Sequence, residues 1–239
     1  MLSRQSFKKN SVFVLVVILT LTLLFGVSLS FLFFTEAYPE GGLTFCFTNE
    51  CYDYFKNSFK SSLEVLNVTL KILVSLTTIG GIFIAVKSYY SNQYSSSIAN
   101  HISNTKTFSD FIKEEVGKLN LVSEYSVSSY LWYNNIFPNS KRGNLEISKR
   151  YFEAINDINQ VIKKSNSIYS SSEKPDFSYL KHQTKMIEAL AVIGINLERL
   201  NRNDFYECES QVIDLIELTN VEFCGLADKT MSLDKRKYI

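Results

Sequence analysis

Apolar and polar positions divide the chain into two very different parts. Residues 11–35 read SVFVLVVILTLTLLFGVSLSFLFFT and hold no charged residue and no Asn, Gln, His or Pro. At 1.5 Å per residue a helix over this run exceeds a hydrocarbon core of roughly 30 Å. A cleaved signal has an apolar region of about 7–15 residues followed by a small-residue cleavage site. This run is longer, and no clear site of that kind precedes Glu36. It is expected to be an uncleaved membrane anchor. Residues 63–86 form a second apolar run, uncharged from Ile72 onward but holding Glu64 and Lys71 earlier. A helix here is long enough to span. Lys71 then lies about two turns from the outer end, and its four-carbon stem can carry the ammonium towards the interface. The alternative is an amphipathic helix buried in a soluble domain. Lys87 closes the run where a stop signal is expected.

Beyond the second run the pattern turns polar and then periodic. Residues 87–106 (KSYYSNQYSSSIANHISNTK) suggest a helical stalk or a linker. From residue 107 onward apolar residues recur at three- and four-residue steps, the mark of an amphipathic helix. Phe108, Phe111, Ile112, Val116 and Leu119 make the first set, with Thr107 as a candidate N-cap. Residues 121–137 make the second, ended by Pro138 and holding Trp132 among Tyr125, Tyr130 and Tyr133. An aromatic cluster at this spacing points to core, the alternative being a binding surface. Residues 145–169 place Phe152, Ile155, Ile158, Ile162 and Tyr169 on one stripe. Residues 177–200 turn Leu180, Ile187, Leu190, Ala191, Leu197 and Leu200 inward. A last helix, capped by Asp204, runs to about Thr219 with Phe205, Cys208, Val212, Leu215 and Ile216 inward. No stretch of useful length alternates with period two.

The expected fold class is an all-α membrane protein: an N-terminal two-helix transmembrane hairpin followed by a cytoplasmic helical bundle domain. The divisions are a cytoplasmic N-terminus (1–10), transmembrane helix 1 (11–35), a periplasmic loop (36–62), transmembrane helix 2 (63–86), a stalk or linker (87–106), a cytoplasmic all-α domain (107–225) and a flexible tail (226–239). The 153 residues from Lys87 to the end suffice for one core.

Charge sets the orientation. Arg4, Lys8 and Lys9 precede the first run without any acid, and Lys87 follows the second. Basic residues near span ends stay on the cytoplasmic side, so both termini are expected to be cytoplasmic. The intervening segment carries Glu36, Glu40, Glu50 and Asp53 against Lys56 and Lys60. From residue 87 onward 19 basic side chains meet 19 acidic ones. That balance gives no support for direct nucleic-acid binding through bulk charge, and leaves only a local patch to consider.

Candidate chemistry is sparse. Cys46 and Cys51 fall in the outer loop and Cys208 and Cys224 in the inner domain. Disulfides persist in oxidising compartments, so Cys46–Cys51 is expected to be bridged, the alternative being two unpaired thiols at a membrane boundary, and the inner pair to be free. Gly80 and Gly81 sit together in the second run. Close packing against the first span is the plain reading, and a hinge or pore-facing notch is the sharper one. Lys71, Gly80 and Gly81 are therefore the membrane packing or pore candidates. His101 lies in the polar stalk, and His182 is expected on the exposed side of its helix. Neither has a Cys or carboxylate at metal-ligand spacing. There is no phosphate loop, nucleophile elbow or HExxH. Carboxylate pairs such as Glu114–Glu115 and Glu207–Glu209 are expected on solvated faces. No catalytic, cofactor-binding or metal residue is assigned, and the chain is not expected to be an enzyme.

The order of parts resembles the two-transmembrane effector proteins of bacterial retron anti-phage defence systems. The likeness rests on the long first span, the outer segment FCFTNECYDYF, the second span VSLTTIGGIFIAVKSYYSNQYSS, and the inner opening SIANHISNTKTFSDFI. It implies a toxin of an abortive-infection module at the bacterial inner membrane. Its partners would be the lipid bilayer, a retron reverse transcriptase with its RNA–DNA hybrid, and further copies of itself. Loss of that control would let it damage the membrane. The alternative is a non-enzymatic membrane-anchored adaptor or sensor whose helical domain binds a cytoplasmic partner.

Overall fold

The computed structural model describes residues 2–39, 47–170, 177–225 and 232–238, with the side chains of the first helix from Val12 onward. Among the described residues every regular element is helical. In chain order these are α1 (Leu2–Glu36), α2 (Asn49–Ser58), α3 (Lys60–Gly117), α4 (Ser129–Ile136), α5 (Lys149–Tyr169), α6 (Tyr179–Val192) and α7 (Arg202–Cys224). The chain forms two compact units that divide within α3, between Asn92 and Gln93.

The first unit is a helical hairpin. Both α1 and α3 are long and apolar enough to cross a membrane, and only 6% of the most apolar window of each is buried. A core helix of a soluble protein would bury that face, so the outward Val, Leu and Phe side chains match a lipid solvent, where the helix satisfies its own backbone. The short α2 lies in the connection. Its N-cap Thr48 accepts a hydrogen bond from the Cys51 backbone N–H. Phe47, Tyr52, Tyr54 and Phe55 are exposed there, a composition suited to the headgroup layer.

The residues expected to form a stalk are one helix with the second apolar run. Ser and Asn ordinarily favour turns, but here hydroxyls bond back into the helix. Ser97 donates to the Gln93 carbonyl, Thr105 to that of His101 and Thr107 to that of Ser103. Thr107 is thus inside the helix and caps nothing. No Gly or Pro interrupts residues 82–116, and the helix stops at Gly117.

The second unit packs the end of α3 with α4 to α7 around Phe108, Ile112, Trp132, Ile158, Met186 and Phe205, all 2% exposed or less. Each such side chain contributes about 1.5–3 kcal/mol relative to exposure. Several boundaries differ from the sequence expectation. The helix expected over 121–137 shortens to α4, capped by Ser128, after a 3₁₀ turn at Glu124–Ser126. Trp132 and Tyr133 are core, whereas Tyr125 and Tyr130 are exposed. The helix expected over 177–200 ends at Val192. Gly194 there adopts φ +95°, and Ile195 pairs with Val127 in an isolated antiparallel bridge. Phe152 and Leu180, placed inward by periodicity, are exposed. The N-cap of α7 is Asn201 rather than Asp204, and α7 continues to Cys224, where Phe223 packs edge-on to Phe108.

The tail also departs from expectation. Residues 232–238 lie on the helical unit, with Leu233 and Tyr238 buried. Asn159 and Asn166 hold their backbone: Asn159 Oδ1 accepts from the Asp234 N–H, and Asn166 accepts from the Lys237 N–H while donating to the Lys235 carbonyl.

Candidate functional site

The membrane hairpin brings most of the sequence-predicted site residues onto two opposite faces of α3. The inner face meets α1. Ser30 and Ser62 bond reciprocally, their hydroxyls 2.8 Å apart and each donating to the other's carbonyl at 3.0–3.1 Å. Phe34 stacks on Phe59 with ring centroids 4.5 Å apart. A Cβ added at Gly26 would run into the Thr69 side chain, and one at Gly80 would lie 2.6 Å from Leu15 Cδ1. The partners 34–59, 30–62, 26–69 and 15–80 rise in one helix as they fall in the other, which is antiparallel packing. Small residues let the two backbones approach. Gly80 is therefore a packing residue, and Gly81, with nothing within 4 Å of its Cβ position, is open.

The opposite face is polar. Glu64, Asn67, Lys71, Ser75 and Thr78 are all exposed and follow one another at steps of three or four. Lys71 stands two residues from both Thr69 and Leu73. That is about 200° around the helix from each, directly away from α1. Were residues 63–86 the membrane span, the Lys71 Cα would fall about 5 Å from its midpoint, a depth at which an ammonium costs about 2.5–3.5 kcal/mol on insertion scales. Thr77 and Thr78 donate to the carbonyls of Leu73 and Val74, so their hydroxyls are satisfied within the helix. The sequence shows Lys71 plainly, but Glu64 and Asn67 join it only once the inner face is known. Gly26 and Ser30 were not singled out, although a Gly amid large apolar residues is a packing signal.

Cys51 is disulfide-bonded. The pairing expected for it falls on Cys46, which lies outside the described residues. Cys208 and Cys224 are free, and burial pushes their thiols up to about 11 and about 12. They are poor nucleophiles for that reason.

The helical unit corrects two further expectations. His182 is 3% exposed and Glu209 is fully buried; neither lies on a solvated face. Glu209 accepts from His182 Nε2 at 3.1 Å, Arg236 Nη1 at 3.1 Å and the Tyr238 hydroxyl at 2.7 Å. His182 Nδ1 is 2.8 Å from Ser165 Oγ. Burial, then the Glu209 charge, holds the Tyr238 hydroxyl above its ordinary range. Three polar partners, one from α6 and two from the tail, satisfy one carboxylate, which is why an acid tolerates this position. Sequence periodicity could not supply that, because two of the partners come from the tail. Among the described residues no group of three His, Cys, Asp or Glu could hold a metal ion.

A protein described as "Retron Ec48 transmembrane protein" from Escherichia coli is 29% identical over 195 residues, covering 81% of this chain and 83% of that protein. No solved structure matches the chain. The Retron Ec48 antiviral membrane protein family matches residues 55–227, a span that takes in α3 with its polar stripe and the helical unit through α7. The chain belongs to that family, as an all-helical retron effector membrane protein with two candidate membrane spans.

Proposed function

We propose that the chain is a toxin acting at the bacterial inner membrane, and that it perturbs the bilayer by self-association of its hairpins. The carrying observation is the exposed stripe Glu64–Asn67–Lys71–Ser75–Thr78 on the face turned from α1. Within one hairpin this stripe meets lipid. Copies arranged with their stripes together replace that contact with a shared water-accessible path, which removes the cost of Lys71 in hydrocarbon. Both termini are cytoplasmic, the acidic connection with Cys46 and Cys51 is periplasmic, and the helical unit faces the cytoplasm. Control belongs to a retron partner, a reverse transcriptase with its RNA–DNA hybrid, whose disturbance releases the effector. Lys71 and Gly81 line or border the path, and Gly80 holds the hairpin shut.

The test is induced expression of the chain alone in a bacterium, with inner-membrane potential read by a voltage-sensitive dye. Rapid depolarisation with growth arrest supports the reading. Abundant, correctly inserted protein that leaves the potential intact with and without partner disturbance refutes it. The well-formed core of the helical unit favours a second reading, an anchored adaptor. Replacing both spans by an unrelated hairpin of equal length decides between them, since only an adaptor keeps its function.

A further inference from the structure

Outside the helical hairpin, a cluster of exposed basic residues lies between α5 and α6. A cleft of about 780 Å³ opens there, with Lys163 and Lys164 on one wall and Lys181 and Lys185 on the other. All four are exposed. Asp157 is the one carboxylate among the described lining residues. The described lining thus carries a local excess of positive charge in a region whose basic and acidic residues balance in total, 19 against 19. The ion pair of Lys163 with Asp234, at 3.9 Å, is open to water on both sides and weak enough to exchange.

Other features fit one ligand chemistry. The first turn of α6 borders the cleft at Ser178 and adds the positive end of a helix dipole. The Ser165 and Ser167 hydroxyls are engaged within the fold, by His182 Nδ1 and the Lys164 carbonyl, and the half-buried Phe177 gives an aromatic wall. Lys181 and Lys185 are one helical turn apart, about 6 Å along the axis, so they address successive positions on an extended ligand. Repeated ammoniums beside an aromatic surface are the groups that hold a phosphodiester backbone and stack a base. We infer that the α5–α6 lysine cleft binds single-stranded nucleic acid, its phosphates on Lys164, Lys181 and Lys185 and a base against Phe177. This goes beyond the membrane activity proposed above and does not depend on it.

The experiment uses the full chain in non-ionic detergent and a fluorescein-labelled 12-nucleotide single strand, in deoxy and ribo forms, read by fluorescence anisotropy. Three phosphate contacts predict a log–log salt slope of about −2, which is on the order of a 20-fold loss of affinity between 50 and 200 mM salt. The variant Lys164→Glu/Lys181→Glu/Lys185→Glu loses at least that factor. Lys106→Glu/Lys113→Glu/Lys149→Glu, an equal charge change at exposed sites elsewhere, changes affinity less than threefold. All six positions are exposed, and unchanged melting checks the fold. Equal losses in the two variants, tighter binding of a duplex of the same sequence, or binding of anionic phospholipid vesicles without binding of the strand overturns the inference.

Discussion

The tail anchor gives the sharpest energetic prediction. Tyr238 is fully buried, its ring centroid 4.4 Å from that of His182 and 5.7 Å from that of Phe177, and its hydroxyl donates to Glu209 at 2.7 Å. Tyr238→Ala removes a large aromatic side chain from a packed site, which costs about 3–5 kcal/mol. Glu209 keeps His182 and Arg236, so the loss stays near that range rather than adding a stranded charge. For a unit of this size each kcal/mol moves the midpoint by about 2–4 °C, so the expected fall is about 6–20 °C. Tyr238→Phe keeps the ring and loses one hydrogen bond to a charged group, about 1.5–3 kcal/mol, and so falls less. Trp132, the only tryptophan, is buried in the same core. Its fluorescence during a thermal ramp of the full chain in detergent reads the transition directly. A Tyr238→Ala midpoint within 2 °C of wild type would refute the claim that the tail is part of the core.

Three further outcomes follow from the geometry. Ser30→Cys with Ser62→Cys should cross-link readily under mild oxidation, and adding Gly26→Ile should slow that cross-linking at least fivefold by driving α1 from Thr69; unchanged rates count against the antiparallel packing. Lys71→Leu should insert at wild-type levels, gaining about 3 kcal/mol in hydrocarbon, yet lose depolarising activity, while Lys71→Arg keeps it; an active Lys71→Leu chain removes the stripe from the mechanism. His101 is buried against Ser140, and burial, then the Lys141 charge, holds its pKa below the ordinary 6.5. The unfolded chain therefore takes up that proton first as pH falls below about 6.5, and stability drops until the depressed folded value is reached. His101→Gln should flatten that part of the melting-temperature profile, and an unaltered slope from pH 6.5 downward would argue against it.

The legibility of the chain follows from the range of the forces involved. The first span was readable because hydropathy is a local property, and Phe108, Ile158 and Val212 fell inward because helical periodicity is local too. The end of α6 was not, since Gly194 and the pairing of Ile195 with Val127 join residues far apart in sequence. His182 and Glu209 looked like surface groups for the same reason: their partners Arg236 and Tyr238 arrive from the tail. On the membrane side Lys71, Gly80 and Gly81 were visible by type. Their division into an open polar face and a packed face required Leu15, Gly26 and Ser30 of the other helix.

The most direct measurement is ion flux through the purified chain in proteoliposomes holding a potassium diffusion potential, followed with a voltage-sensitive dye. Wild-type protein should collapse the potential. The variant Asn67→Leu/Lys71→Leu/Ser75→Ala/Thr78→Val, reconstituted at the same density, should hold it as empty vesicles do. A wild-type chain that leaves the potential standing, or a stripe variant that discharges it as fast, would contradict the account.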